Sequence, residues 1–209
     1  MRFDSDKIES LRQFVKDRIS LKRYNHTLGV EKMAVFLGDI IMPDSVSELQ
    51  VAALLHDIAK EIPFDEQLEL LKDSGVDCTE EDISTKPALH SFAAVPYISR
   101  YFAEYATPGV TSAVCNHTLG SYGMSLFDEI IYISDYAESG RTYFTCIEVN
   151  KFLLENISKD KTYEENVQIL HAASLKATQY TIDSIKKRGE PINSRTFDTL
   201  KYLSEFNLK

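Results

Sequence analysis

Apolar residues recur every three or four positions along most of the chain, the spacing that places them on one face of an α-helix. The first stripe begins at Ile8 and ends at Ile19, with Asp4 or Ser5 in position to cap its helix. Proline, glycine and serine separate the later stripes, which predict helices over residues 24–41, 49–60, 64–72, 88–104, 108–118, 126–138, 147–156, 164–187 and 194–206. Because alternating patterns are rare, we predict an all-α fold.

The 209 residues supply enough chain for one substantial hydrophobic core, and no internal repeat or convincing linker divides them. We therefore expect a single domain over residues 1–209. In it, helices within 146–209 pack on a unit formed by about residues 20–145. The acidic segment 77–82 is expected to be a solvated loop.

Residues 49–60 are apolar until the adjacent His56 and Asp57, and they end on Lys60. Their length and their lack of glycine and proline favour a buried helix over a strand. A carboxylate in such a helix needs a cation or hydrogen bonds, because an unpaired one costs several kcal/mol. A divalent metal held by both side chains meets that need. A hydrogen-bonded core histidine beside a salt-bridged aspartate meets it equally well.

The formal net charge of −9 argues against a broad nucleic-acid-binding surface, although local cations can still bind a small polyphosphate. Cys78, Cys115 and Cys146 are widely spaced and form no C-x-x-C pair, which indicates reduced thiols. The first residues carry no apolar signal segment, and no stretch is long enough to cross a membrane. These features predict a cytoplasmic protein that contacts neither membrane nor nucleic acid.

Most of the histidines share one property: they lie in residues 49–60 or near the ends of predicted helices. They are His26, His56, His90 and His117. A second acid, Asp135, lies in the apolar segment 130–137, and neither acid has an obvious basic partner. Separate helices of a bundle can converge to build a histidine–carboxylate metal site, and no cysteine is needed, which disfavours structural zinc. The fifth histidine, His171, lies in no motif and is expected to be an ordinary surface or packing residue.

Three segments resemble motifs of the HD-domain metallophosphohydrolases, and more closely those of the bacterial YqeK family. They are RYNHTLGV at 23–30, LLHDIAK at 54–60, and HTLG at 117–120 followed by IYISDYAESGR at 131–141. The resemblance extends over about residues 20–200. It implies an HD-domain helical bundle with a buried His/Asp metal centre. It also implies symmetrical hydrolysis of diadenosine tetraphosphate to two ADP at a site containing iron.

The resemblance also assigns the ligands. Those of a first metal ion would be His26, His56, Asp57 and Asp135. His90 and His117 would either hold a second ion, with Asp57 bridging, or contact substrate phosphates. The resemblance implies one or two iron ions, although manganese, cobalt and zinc accept the same donor atoms.

Asp57 and Lys60 are the candidate catalytic residues. A metal ion supplies hydroxide near neutral pH, and a tetraphosphate needs cations aimed at its charge. Lys60 lies four residues after His56, so a helix would place the two on one face. Arg23 lies three residues before His26, which places this pair on one face as well.

The other predicted substrate contacts follow from the same motifs and from segment 189–196. They are His90, His117, Thr118, Arg141, Ile192 and Thr196. Segment 189–196 is similar to a family segment that can close over the nucleoside. A plain turn and helix cap explains it at least as well.

Three other functions fit the same residues. The chain can be an HD phosphohydrolase of another nucleotide, a di-iron oxygenase, or a non-catalytic nucleotide-binding protein. Tyr101, Phe102 and Tyr105 are expected to form either a homodimer surface or part of the core.

Overall fold

A computed structural model describes residues 3–208, which form helices and no strand, and the predicted all-α fold is confirmed. The helices of this region are α1 (Ser5–Lys16), α2 (Leu21–Ile41), α3 (Val46–Leu55), α4 (Phe64–Leu71), α5 (Glu80–Ser84), α6 (Leu89–Tyr101), α7 (Pro108–Asn116), α8 (Leu126–Ala137), α9 (Phe144–Asn156), α10 (Tyr163–Arg188) and α11 (Ser194–Ser204). None of them is long and apolar enough to cross a membrane.

Side-chain caps fix several helix starts. Asp4 accepts a hydrogen bond from the backbone N–H of Lys7, and Thr107 caps α7 in the same way, with Pro108 in its first turn. Ser125 and Asp128 form a reciprocal capping box at α8. The predicted cap of α11 was one residue late, because Asn193 rather than Ser194 accepts the first-turn hydrogen bond.

One continuous hydrophobic core joins α1–α3 with α6–α10. Helix α2 packs most extensively on α3 and also lies against α8, which in turn contacts α7 and α10. Helix α11 contributes Leu203 to a smaller cluster with Met124 and Tyr132. Because α9 and α10 share the main core, the packing supports a single domain over residues 1–209, which stays a prediction.

The predicted helix over residues 49–60 was too long. Helix α3 ends at Leu55, and the chain continues through tight turns, with backbone N–H groups of Ile58 and Lys60 bonded three residues back. At this point Nδ1 of His56 lies 2.6 Å from the carbonyl oxygen of Ala53. The pattern had predicted that Lys60 lies one helical turn beyond His56. Because α3 ends before His56, this prediction was wrong.

The acidic segment 77–82 is not simply a solvated loop. Thr79 caps α5, and Asp82, in the first turn of that helix, is fully buried. The Asp82 carboxylate accepts hydrogen bonds from Thr79, from the amide of Asn193 and from the guanidinium of Arg195. It thereby ties α5 to the start of α11. A buried acid with these partners holds two distant parts of the chain together.

Replacing Asp82 by asparagine is expected to lower the free energy of unfolding by about 2–3 kcal/mol, because it leaves Arg195 without its buried charged partner. Burial alone would raise the pKa of Asp82, but its hydrogen bonds with Thr79 and Asn193 and the Arg195 charge lower it. The stabilisation is therefore present above the ordinary carboxyl pKa and is lost as the pH falls through the lowered folded-state value. Urea unfolding near neutral pH and in acid measures both effects.

The matched control is Asp77→Asn. Asp77 contacts the same Arg195 but its side chain is 87% exposed, so this change is expected to cost less than about 1 kcal/mol. Equal losses in the two variants would show that burial of Asp82 contributes nothing.

The structure decides between the alternatives left open for several residues. His171, expected to be a surface or packing residue, is a buried packing residue, with Nδ1 2.8 Å from Oε2 of Glu129 and its ring stacked on Phe206. Of the three aromatic residues proposed for a dimer surface or the core, Phe102 and Tyr105 are buried and Tyr101 is 56% exposed. The homodimer itself stays a prediction.

Candidate metal centre

All six predicted ligand side chains lie together in the helical bundle. We call them the His–Asp centre: His26 from α2, His56 and Asp57 from the turn after α3, His90 from α6, His117 after α7, and Asp135 from α8. The side chains of five of these residues are at most 12% exposed, and the side chain of Asp135 is 23% exposed. The convergence of five separate parts of the fold was the central prediction from the sequence.

The first ligand group gathers around Oδ2 of Asp57. Nε2 of His56 lies 3.4 Å from this oxygen, and Nε2 of His26 lies 3.6 Å from it. Oδ1 of Asp135 lies 2.9 Å from Nε2 of His26 and 3.8 Å from Nε2 of His56. Two sets of donor atoms lie within 4.8 Å of one another, close enough to hold a divalent metal ion: His26, His56 and Asp135, and His56, Asp57 and His117.

The second ligand group faces the other oxygen of Asp57. Nε2 of His90 lies 3.0 Å from Oδ1, and Nε2 of His117 lies 3.7 Å from it. The same two nitrogens are 3.1 Å apart. Asp57 thus presents one carboxylate oxygen to each group, which is the arrangement that a residue shared between two ions requires.

The hydrogen bonds of the histidine rings test whether the His–Asp centre is suited to a metal ion. Nδ1 of His56 lies 2.6 Å from the Ala53 carbonyl, and Nδ1 of His117 lies 2.7 Å from the Val114 carbonyl. These contacts assign the ring proton to Nδ1 and leave Nε2 with a lone pair facing the centre. Among the described residues, the buried Nε2 atoms of His26 and His56 make no hydrogen bond, despite the carboxylates nearby. Such nitrogens are suited to a metal ion.

His90 differs from the other three histidines. Its Nδ1 lies 3.1 Å from Nζ of Lys60, which can only donate a hydrogen bond. Lys60 Nζ also lies 3.3 Å from Nε2 of His90. Burial lowers the pKa of His90 to about 4, so the ring is neutral. A neutral imidazole can either coordinate a metal ion or contact a phosphate, which are the two roles predicted for His90.

The two carboxylates stay ionised. Burial alone would raise the pKa of Asp57, but the imidazoles of His56, His117 and His90 beside it hold it well below its usual range. Burial opposes ionisation of Asp135 too, and the nearby imidazole of His26 and the charge of Arg141 outweigh it and lower its pKa. Two permanent negative charges in a buried site favour occupation by a cation.

The expectation that the acids have no basic partners was wrong. Nη1 of Arg23 lies 2.6 Å from Oδ2 of Asp57, and Nη2 of Arg141 lies 2.6 Å from Oδ1 of Asp135. Lys60 reaches the centre from another side, with Nζ also 3.0 Å from the Pro87 carbonyl. The three predicted phosphate-binding cations therefore all contact the centre, two of them through its carboxylates.

Glu138 is a site residue to which the sequence reasoning gave no role. It is buried, its Oε1 lies 3.2 Å from Nδ1 of His26, and its Oε2 accepts the Gly140 N–H. A Cβ at Gly29 would clash with Oε2, so a larger residue there would displace the Glu138 carboxylate. Carboxylates in this position orient a ligand histidine and increase its basicity. The available signal was its place three residues after Asp135 in the third motif.

Two cavities adjoin the centre. The charged cavity, about 630 Å³, is lined by His26, Arg23 and Arg141 and extends outward to Tyr143. The apolar cavity, about 540 Å³, contains the three remaining predicted substrate contacts: Thr118, Ile192 and Thr196. Thr118 connects it to the centre, because its Oγ1 lies 3.0 Å from Nε2 of His117.

Comparison with known proteins confirms the resemblance to HD-domain hydrolases. The HD domain model matches residues 23–140. The Bacillus subtilis protein named symmetrical bis(5′-nucleosyl)-tetraphosphatase is 26% identical over 189 residues, covering 90% of this chain and 93% of that protein. A protein of the same name from Halalkalibacterium halodurans is 27% identical over 193 residues, covering 91% and 94%.

A solved structure has the same fold along its whole length. The crystal structure of a predicted HD superfamily hydrolase involved in NAD metabolism, from Clostridium acetobutylicum, superposes with a TM-score of 0.79 at 28% identity. It covers 97% of this chain and 98% of that one. Because the family match extends over the helices that carry all six side chains of the His–Asp centre, the chain belongs to the HD domain family, whose domain is a hydrolase domain.

Proposed function

We propose that this chain hydrolyses dinucleoside tetraphosphates symmetrically, releasing two ADP from diadenosine tetraphosphate. The observation that carries the proposal is the buried His–Asp centre contacted by Arg23, Lys60 and Arg141 and open to the charged cavity. Cations at a histidine–carboxylate centre suit a polyphosphate substrate. The names of the Bacillus and Halalkalibacterium relatives support the tetraphosphate and the symmetrical cut.

The residues that would hold a first ion are His26, His56, Asp57 and Asp135, with Asp57, His90 and His117 available to a second. A bound ion would supply hydroxide near neutral pH and a positive charge for a phosphoryl oxygen. Iron is the metal that the family resemblance implies, and the same donors accept manganese, cobalt or zinc. Metal analysis of protein purified without added metal distinguishes these ions.

The protein's own groups bind and orient the phosphates. Lys60 lies with His90 beside Asp57, and Arg23 and Arg141 supply planar, bidentate donors on the other side. Burial lowers the pKa of Lys60, although the charges of Asp57 and Asp135 oppose that change. A poorly solvated ammonium gains more from pairing with phosphate than an exposed one does.

The apolar cavity fits a nucleoside. Ile192 lines it together with Leu119 and Ile185, and Thr118 and Thr196 add hydroxyl groups near the phosphate-binding end. Apolar surroundings with a few polar groups are typical of ligand pockets. The three cysteines are free thiols, which supports a reducing, cytoplasmic location.

Product analysis tests the proposed cleavage. We expect mass spectrometry of a reaction with diadenosine tetraphosphate to show ADP as the sole nucleotide product, with incorporation of one water oxygen per molecule cleaved. AMP with ATP would reject the symmetrical cut. Oxygen consumption without phosphate release would indicate an oxygenase, and binding without turnover would indicate a nucleotide-binding protein.

A further inference from the structure

The charged and apolar cavities reach the His–Asp centre at different ligand groups. The charged cavity is lined by His26, whose Nε2 faces Asp135 and Oδ2 of Asp57. The apolar cavity ends at Thr118, which contacts His117 in the second ligand group. A ligand that crosses the centre therefore has space on both sides of it.

A dinucleoside tetraphosphate has the shape that such a site requires. Symmetrical cleavage places two phosphates and one nucleoside on each side of the bond that breaks. Each cavity exceeds about 300 Å³, the lower end of the range for small-molecule pockets. If the apolar cavity holds one nucleoside, the other nucleotide must extend into the charged cavity.

The outer wall of the charged cavity presents an aromatic ring to solvent. Tyr143 lines this cavity and is 73% exposed, directly after the Arg141 segment that contacts Asp135. Exposed aromatic rings next to cations are the usual platform for a nucleobase, because every base can stack on them. The neighbouring Phe144 is 76% exposed but does not line the cavity.

The charges in the cavity suit a nucleotide whose phosphates lie inward. Arg23 and Arg141 are at its inner end and Lys22 is exposed at its wall. Two acids line this cavity. The carboxylate of Glu138 contacts Nδ1 of His26 and accepts a hydrogen bond from the backbone N–H of Gly140. Glu61 accepts hydrogen bonds from the backbone and hydroxyl of Ser20, which lower its pKa.

The geometry points to the charged cavity as the subsite for the second nucleotide of the substrate, with Tyr143 stacking on its base. This assignment rests on the proposed function and extends it. It explains why a dinucleotide would be preferred over a mononucleotide of the same phosphate length. Adenosine 5′-tetraphosphate fills only one nucleoside subsite, the apolar one, and so provides the comparison.

The test measures kcat/KM for diadenosine tetraphosphate and the competitive inhibition constant of adenosine 5′-tetraphosphate in the same variants. Tyr143→Ala is expected to lower kcat/KM for the dinucleotide at least about tenfold, the loss of one stacked base. The inhibition constant of the mononucleotide is expected to change less than about twofold. Tyr143→Phe keeps the ring and should retain activity, and Phe144→Ala is the matched control for an exposed aromatic outside the cavity.

The outcomes separate the two proposals. No hydrolysis of the dinucleotide by the wild-type protein would overturn the proposed function and this subsite with it. Normal hydrolysis that Tyr143→Ala leaves unchanged, or equal losses for dinucleotide and mononucleotide, would overturn the subsite alone. An equal loss of activity in Phe144→Ala would also overturn the subsite. The loss would then come from a disturbed start of α9 and not from a contact inside the charged cavity.

Discussion

The Asp57→Ala protein is expected to retain no divalent metal on purification and to lose hydrolysis of diadenosine tetraphosphate by at least about 10³-fold. Asp57 presents one carboxylate oxygen to His26 and His56 and the other to His117, so its removal takes a donor atom from both ligand groups. Elemental analysis measures the metal, and chromatography of released ADP measures the activity.

Folding has to be measured in the same variant, since loss of Asp57 also leaves Arg23 without its 2.6 Å partner. Asp57→Asn keeps the side-chain volume and one oxygen, and we expect it to fold while binding metal weakly. Asp39→Ala changes an exposed acid of α2 and should be indistinguishable from wild type. An active, metal-free Asp57→Ala protein would refute the metal scheme. A folded variant that keeps its metal would refute the role of Asp57.

Replacing Lys60 by methionine is expected to lower kcat/KM for the tetraphosphate by about 10²–10³-fold while the metal content stays at the wild-type level. Nζ of Lys60 contacts His90 and the Pro87 carbonyl, beside Asp57 rather than among the ligand atoms. Methionine retains the length and apolar stem of the side chain but not its charge. Steady-state kinetics and metal analysis on one preparation measure both quantities.

Two further variants define what the Lys60 result means. Lys60→Arg keeps the charge and is expected to recover part of the lost activity. Lys32→Met removes an exposed charge of α2, so it controls for net charge. A Lys60→Met protein within threefold of wild type would show that Lys60 does not bind the phosphates, and loss of metal would show a structural role instead.

The helices were the most predictable part of this fold. Apolar periodicity located the α-helices of the described residues except α5, and Asp4, Thr107 and Ser125 do cap their helices as their side-chain chemistry predicts. These features depend on residues within three or four positions of each other. They are therefore visible in a single sequence.

Most of the errors involve contacts between distant residues, but one is local. Helix α3 ends early in turns whose hydrogen bonds reach back only three residues, although residues 49–60 have no helix breaker. Asp82 looked solvated because its partners, Asn193 and Arg195, lie more than a hundred residues later. Arg23, the partner of Asp57, was missed in the same way. Arg141, the partner of Asp135, was missed although it lies only six residues later.

The sequence by itself determined the class of structure and the kinds of atoms available: an all-helical chain whose motifs carry imidazole, carboxylate and guanidinium groups. Only the tertiary structure decided how these groups divide, with one oxygen of Asp57 facing each ligand group, His90 turned towards Lys60, and Glu138 behind His26. The physical reason is range: helix periodicity depends on near neighbours, whereas the state and orientation of a buried polar group depend on whichever distant side chain completes its hydrogen bonds.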